Sequence, residues 1–231
     1  MKKLSLLVVA FLFVAVPVFA AIQGTAHDFT TASGPGTKLT NATLCGTCHI
    51  PHGGSTATVG LPIWARTSPA GPYNVYGSTG TPGSSFTVSG TTVNDPGTFS
   101  LICLGCHDGS IGINTITKNG VSTSFAVSAN TAFVNSSGFV VNVVNATTGY
   151  SPFIDVNLQN DHPVGITYRG TAASLAGLID ADNASSVRGG VYPLFTNIME
   201  CASCHDPHNS TNSPFLRAAK ATICTDCHAN K

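Results

Sequence analysis

Residues 45–52 read CGTCHIPH and residues 201–208 read CASCHDPH, so two distant segments share the pattern C-x-x-C-H-x-P-H. The shorter pattern C-x-x-C-H occurs twice more, at residues 103–107 and 224–228, and its four copies contain all eight cysteines of the 231-residue chain. C-x-x-C-H is the attachment motif of c-type haem. One turn of backbone brings both thiols to the two vinyl groups on one porphyrin edge, and the next residue can turn an imidazole onto the iron. The sequence therefore predicts four covalently bound haem c groups.

Eight cysteines would form the thioether bonds, and four histidines would be the proximal iron ligands. The cysteines are Cys45, Cys48, Cys103, Cys106, Cys201, Cys204, Cys224 and Cys227, and the histidines are His49, His107, His205 and His228. Disulfides would not explain a histidine after every pair. A zinc ribbon fits the spacing of the last two copies but not that of the first two. A thioredoxin-like redox pair would not occur four times.

Four further histidines are available as distal iron ligands, namely His27, His52, His162 and His208. Four irons each need a second axial ligand, so the number of spare histidines equals the number of open positions. Once a signal peptide is removed, Met199 is the one remaining methionine, so Met/His ligation could serve at most one haem. Bis-histidine ligation at all four irons is expected. Without the methionine ligand that raises potential, the haems should have low potentials.

His52 and His208 each follow a proximal histidine by three residues, across a proline. The two axial positions of one iron lie on opposite faces of a wide disc, and a three-residue step cannot pass around it. Each of these histidines is therefore predicted to bind the iron of a different haem, so that its segment joins two haems at close range. The alternative is that both are solvated surface residues.

His162 and His27 lie outside the haem motifs. His162 falls in NDHPVGITY, residues 160–168, where turn-forming residues and a proline precede a short predicted strand at 166–168. A rigid turn of this kind suits a distal ligand, although a histidine bonded to backbone is the alternative. His27 lies on a predicted flexible N-terminal arm. It could fold back onto a haem of its own chain, reach a haem of the next subunit, or remain free.

The N-terminus has the features of a signal peptide over residues 1–20. Lys2 and Lys3 precede a 13-residue apolar run, and small residues at 18 and 20 suit cleavage before Ala21. An uncleaved membrane anchor is the weaker alternative, because the run is short for a span. Removal of Lys2 and Lys3 leaves eight basic against ten acidic residues, a formal charge of −2. Nothing in this charge pattern indicates nucleic-acid binding. Only 9% of the residues are charged, which favours self-association.

The predicted fold is a multihaem cytochrome c with mostly loops and short helices wrapped around stacked haems. Residues 21–231 would form one tetrahaem domain, with haem motifs in 45–107 and 201–228 and a small β section at about 111–168. Within that section, residues 113–127 alternate in polarity and contain Asn119-Gly120, which favours a hairpin with a type I′ turn. Residues 138–144 and 153–158 are also predicted to form strands. Residues 54–100 are predicted to be mostly loop.

The four C-x-x-C-H copies, the two C-x-x-C-H-x-P-H segments, HDF at 27–29 and DHPVG at 161–165 resemble the outer-surface tetrahaem cytochromes of metal-reducing bacteria. The similarity is greatest to the OmcE-type subunits that polymerise into cytochrome filaments. This resemblance implies a continuous row of stacked haems along a filament. It also implies one distal histidine donated across the subunit interface, for which His27 is the expected residue.

The expected function is electron transfer rather than catalysis. Electrons would pass from periplasmic or outer-membrane cytochromes to external acceptors such as metal oxides, and the protein would be extracellular or at the cell surface. A monomeric tetrahaem shuttle in the periplasm is one alternative. A multihaem reductase is another, and it would need an iron with an open coordination position.

Overall fold

The architecture was examined in a computed structural model. The structure describes residues 22–30, 35–54, 63–69, 71–77, 86–88, 91–129, 131–168, 178–179, 181–183 and 185–228. The predicted signal peptide at 1–20 lies outside these residues. Within them, no helix is long and apolar enough to cross a membrane.

Helices are few and short, as predicted. The longest described helix, α1, spans Thr98–His107 and contains the second haem motif, whereas α2 spans only Cys201–Cys204 in the third. A 3₁₀ turn covers Leu158–Asn160. The helix α1 ends because Gly109 adopts φ 74°, the left-handed conformation that suits glycine after a helix. This turn fixes the direction in which the chain leaves the second motif.

Within the described part of the chain, ten short strands form four small antiparallel sheets. A two-stranded sheet pairs β1 with β6, and another pairs β4 with β5; a third pairs β8 with β9, and the fourth has the order β10-β7-β3-β2. The strands are β1 Lys38–Leu39, β2 Phe86–Val88, β3 Thr91–Val93, β4 Thr115–Lys118, β5 Val121–Ser124, β6 Val127–Ala129, β7 Ile166–Thr167, β8 Ser186–Val187, β9 Tyr192–Pro193 and β10 Ile198–Met199.

The predicted hairpin is confirmed as β4 and β5, joined by Asn119 at φ 50° and Gly120 at φ 75°, both positive as a type I′ turn requires. The predicted strand at 166–168 is present as β7. Two other predictions were wrong. Residues 138–144 contribute only an isolated bridge at Val140, and residues 153–158 form one bridge at Asn157 before the 3₁₀ turn.

The β structure is not confined to 111–168. The four-stranded sheet takes β2 and β3 from residues 86–93, which were predicted to be loop, and β10 from the segment just before the third haem motif. Met199 of β10 pairs with Ile166 of β7, and both lie in the largest buried apolar cluster together with Tyr192. This sheet therefore anchors the third motif to the apolar cluster.

Candidate haem sites

Each C-x-x-C-H copy forms a tight turn. In three copies the histidine N–H donates to the carbonyl oxygen of the first cysteine, at 2.8 to 3.0 Å; these pairs are His49 with Cys45, His205 with Cys201, and His228 with Cys224. The second copy forms the last turns of α1. All eight cysteines are free thiols. This turn places two thiols and one imidazole on a single short segment, as attachment of haem c requires.

A buried carboxylate holds the second and third motifs together. Glu200 precedes α2, and its side chain accepts hydrogen bonds from the Gly97 N–H at the start of α1 and from the Ser100 hydroxyl within α1. Ser100 in turn accepts a bond of 2.9 Å from the Cys201 N–H. Burial raises the pKa of Glu200 in spite of these bonds. The two helices therefore meet through a polar contact that is withdrawn from water.

Thiols of different motifs influence one another. A hydrogen bond with Cys201, followed by burial, holds the pKa of Cys103 well above its usual range. Burial, followed by the charge of Cys227, raises the pKa of Cys204 to about 12. Burial also raises the pKa of Cys106, and the charge of Cys48 acts in the same direction. The thiols of the second and third motifs are therefore joined directly, by the bond between Cys103 and Cys201.

Three pairs of imidazole rings lie next to each other at nearly the same distance, although their planes are inclined by different angles. The ring centres lie 6.1 Å apart for His27 and His107, 6.1 Å for His49 and His208, and 6.4 Å for His162 and His228. Two metal–nitrogen bonds of about 2.0 Å, with about 1.1 Å from each nitrogen to its ring centre, require a separation of about 6.2 Å. The observed spacing therefore fits one iron between the rings of each pair.

Backbone carbonyls orient several of these rings. The Nδ1 of His107 lies 2.6 Å from the Pro152 carbonyl oxygen, and that of His205 lies 2.9 Å from the Pro214 carbonyl oxygen. A carbonyl can only accept, so each Nδ1 donates its proton and each Nε2 keeps a lone pair for a metal. This is the usual arrangement around a metal-binding histidine. His162 makes the same contact with the carbonyl of Pro163 at 3.1 Å.

The segment around His27 is packed against the rest of the chain. Its neighbour Asp28 is fully buried, and the His27 ring stacks on Phe215 at 4.7 Å with an angle of 14°. Burial, followed by the charges of His107 and His205, lowers the pKa of His27 to about 4, so this imidazole is neutral as a metal ligand must be. In the single chain, this placement suits His27 as a second ligand to the iron at His107.

His52 and His205 have no such partner ring. Both side chains are exposed, and among the residues that the structure describes no imidazole faces either of them at a comparable distance. His205 nevertheless carries the Nδ1 hydrogen bond expected of a ligand. Within the single chain, His205, a predicted proximal ligand, and His52, a predicted distal ligand, therefore each lack a paired ring among the described residues.

The aromatic residues Trp64, Tyr73 and Tyr76 were expected from the sequence to pack on porphyrin faces. Tyr73 is buried, and its hydroxyl donates to Asp108 at 2.7 Å, directly after the second motif. Trp64 lies edge-on to His49, with ring centres 5.6 Å apart, whereas Tyr76 is exposed. Sequence reasoning missed Arg66, which is buried. Arg66 had one available signal, because a cation is conspicuous in a chain with so few charges.

The histidine and cysteine side chains do not converge as a zinc ribbon requires. Within the described part of the chain, no group of three or more His, Cys, Asp or Glu side chains surrounds a common point. A structural zinc ion needs four ligands at one point, whereas haem iron takes two ligands from the protein. The paired geometry fits haem iron.

A family model for the doubled C-x-x-C-H motif matches residues 195–231, which contain the third and fourth copies. The comparison with curated proteins gave no match. The doubled motif is that of multihaem c-type cytochromes, and it implies covalently bound haem c. The match covers only the C-terminal part of the chain, and it suggests a haem-binding electron-transfer cytochrome.

Proposed function

We propose that the chain is a tetrahaem electron-transfer cytochrome in which every iron has two histidine ligands. The observation that carries the proposal is the set of three imidazole pairs spaced for one iron each. The proposed ligand pairs within the chain are His49 with His208, His107 with His27, and His228 with His162. His205 would hold the fourth iron. Haem supplies the one-electron chemistry, and the protein supplies attachment, ligands and exclusion of water.

The contact between α1 and α2 supports neighbouring positions for the second and third sites. Glu200 and Cys201 bond to the first turn of α1, so the porphyrins attached at these two motifs would lie side by side in the proposed row. The segment from His205 to His208 also supports the idea that one C-x-x-C-H-x-P-H segment serves two haems, because His208 faces His49 of the first motif. Short distances between neighbouring sites are what rapid electron transfer needs.

We further propose that the row continues between subunits through His52. A distal ligand is required opposite His205, and among the four predicted distal ligands only His52 has no partner ring within the described residues. Both residues are exposed in the single chain, so His52 of one subunit is free to reach His205 of the next. Repetition of this contact would build a filament, with His52 in the role first expected of His27.

The proposed location is outside the cell or at its surface, with the periplasm as the alternative. The expected electron donors are periplasmic or outer-membrane cytochromes, and the expected acceptors are external, such as metal oxides. Neither nucleic acid nor a chemical substrate is proposed as a partner. The basis is the predicted signal peptide, the low charge and the resemblance to filament-forming cytochromes.

The unpaired His205 also supports a second candidate function. If no histidine occupies the position opposite His205, that iron would offer an open coordination site, as a multihaem reductase needs. A monomeric shuttle would instead require His52 of the same chain to reach His205. The three alternatives therefore differ at one ligand position.

Substitution of His52 separates these alternatives, with His208→Ala as the matched control. Each residue is the exposed last histidine of a C-x-x-C-H-x-P-H segment. We expect wild-type protein to form filaments whose haems are all low-spin. His52→Ala should yield dispersed subunits with one high-spin haem, whereas His208→Ala should yield one high-spin haem but keep the filament.

Dispersed wild-type subunits with one high-spin haem would support the reductase. Dispersed wild-type subunits with only low-spin haems would support the shuttle. Electron microscopy reports the assembly, and electron paramagnetic resonance reports the spin state.

A further inference from the structure

Arg66 is a buried cation without a carboxylate partner among the residues that the structure describes. It is 2% exposed, and it is the one buried lysine or arginine among the described residues. Its guanidinium nitrogens donate to three backbone carbonyls, those of Gly112 at 2.9 Å, Ile113 at 2.6 Å and Thr115 at 2.8 Å. No ion pair joins it to a described carboxylate, and its buried Nε has no hydrogen-bond partner. Its positive charge is therefore held in place but not neutralised by a described carboxylate.

The backbone places this charge between the first and second haem motifs. The Ala65 N–H, one residue before Arg66, donates to the Cys48 carbonyl at 2.8 Å. The loop that accepts the guanidinium bonds is tied to the second motif, because the Ile111 N–H donates to the Gly105 carbonyl at 2.9 Å. The segment Ala65–Arg66 is thus joined to the first motif by the Ala65 N–H and to the loop after the second motif by the Arg66 guanidinium.

An unpaired buried charge is costly, so its presence asks for a compensating role. One electron added to a haem site makes its net charge more negative by one. A fixed positive charge in a low-dielectric environment stabilises that reduced state more than the oxidised state.

We propose that Arg66 is a potential-setting residue, which raises the reduction potential of the haem attached through Cys103 and Cys106 relative to the other haems of the row. The inference rests on the proposed function, since it requires haem at the second motif. By contrast, the cation beside the fourth motif is paired: Arg188 lies 2.9 Å from Asp226, which stands between the two cysteines. The second site should therefore have the higher potential of the two.

The test is a redox titration of haem-loaded Arg66→Gln, followed by electron paramagnetic resonance of samples frozen at each potential. We expect the equilibrium constant for reduction of one haem to fall at least tenfold, which is 59 mV for a one-electron couple. The control Lys118→Gln removes one positive charge from an exposed position on β4 and should leave every potential unchanged. Equal titrations of Arg66→Gln and wild type, with all haem present, would overturn the role of Arg66 and leave the proposed function standing.

A second measurement, on wild-type protein with its signals assigned from two ligand variants, does not require Arg66→Gln to fold. The haem at the second motif is marked by the signal that His27→Ala alters, and it should be reduced at a higher potential than the haem at the fourth motif, marked by His162→Ala. The reverse order would contradict the role of Arg66. Wild-type protein that lacks haem altogether would instead refute the proposed function.

Discussion

Replacement of His27 by alanine tests the ligand pairing most sharply, because the sequence and the structure assign this residue different partners. The His27 ring centre lies 6.1 Å from that of His107 in the same chain. His27→Ala should therefore remove one axial ligand from one of four irons, so that about a quarter of the haem becomes high-spin. Filaments should persist, because the proposed contact between subunits uses His52.

The substitution also removes the stack between His27 and Phe215. Such a ring pair contributes about 0.5–1.5 kcal/mol beyond its buried area. In a chain of this size that corresponds to a fall in Tm of roughly 1–6 °C, before the lost ligand is counted.

Phe215→Leu is the control, since it removes the stack and leaves the imidazole. It should lower Tm by a similar amount and keep every haem low-spin. Visible and electron paramagnetic resonance spectra measure the spin state, and differential scanning calorimetry measures Tm. An unchanged low-spin spectrum in His27→Ala, or loss of the filament in that variant alone, would refute the pairing of His27 with His107.

Two further predictions concern the scaffold around the motifs. Burial raises the pKa of Glu200, so folding favours its protonated form, and the wild-type chain should lose stability as pH rises from the unfolded-state pKa of about 4.3 through the raised value. Glu200→Gln should abolish this loss in chemical denaturation at a series of pH values, and an unchanged pH profile would contradict the prediction. Gly165 adopts φ 73°, and a Cβ at this position would collide with the Asn94 carbonyl. At Gly120 φ is 75° but the space around a Cβ is open, so Gly120→Ala is the control. Gly165→Ala should lower the free energy of unfolding by about 2 kcal/mol more than Gly120→Ala, and equal losses would show that the contact is unimportant.

Local sequence signals predicted local structure well. The alternation around Asn119 and Gly120 predicted the hairpin, because the turn type depends on those two residues alone. The apolar residues at 138–144 resembled a strand, yet no other segment that the structure describes forms a continuous ladder of hydrogen bonds with them. The four-stranded sheet was missed because its strands come from three distant segments, and each is only two or three residues long.

The haem motifs are equally local, so the cysteines and proximal histidines could be located from spacing alone. The distal pairing could not, because it depends on how distant segments pack. More than 100 residues separate His49 of the first motif from His208, and more than 60 separate His162 from His228 of the fourth motif. Each pair meets only after the residues between its members have folded. The same reasoning explains Arg66, whose partners are backbone carbonyls that leave no mark in the sequence.

The most direct test of the central claim is a cryo-electron microscopy map of the exported, haem-loaded protein that resolves the axial ligands. The account predicts four haems in each subunit, with three bis-histidine pairs formed within the chain and His52 of a neighbouring subunit bound opposite His205. Fewer than four haems, or a haem at His205 ligated within its own chain or left open, would contradict the account.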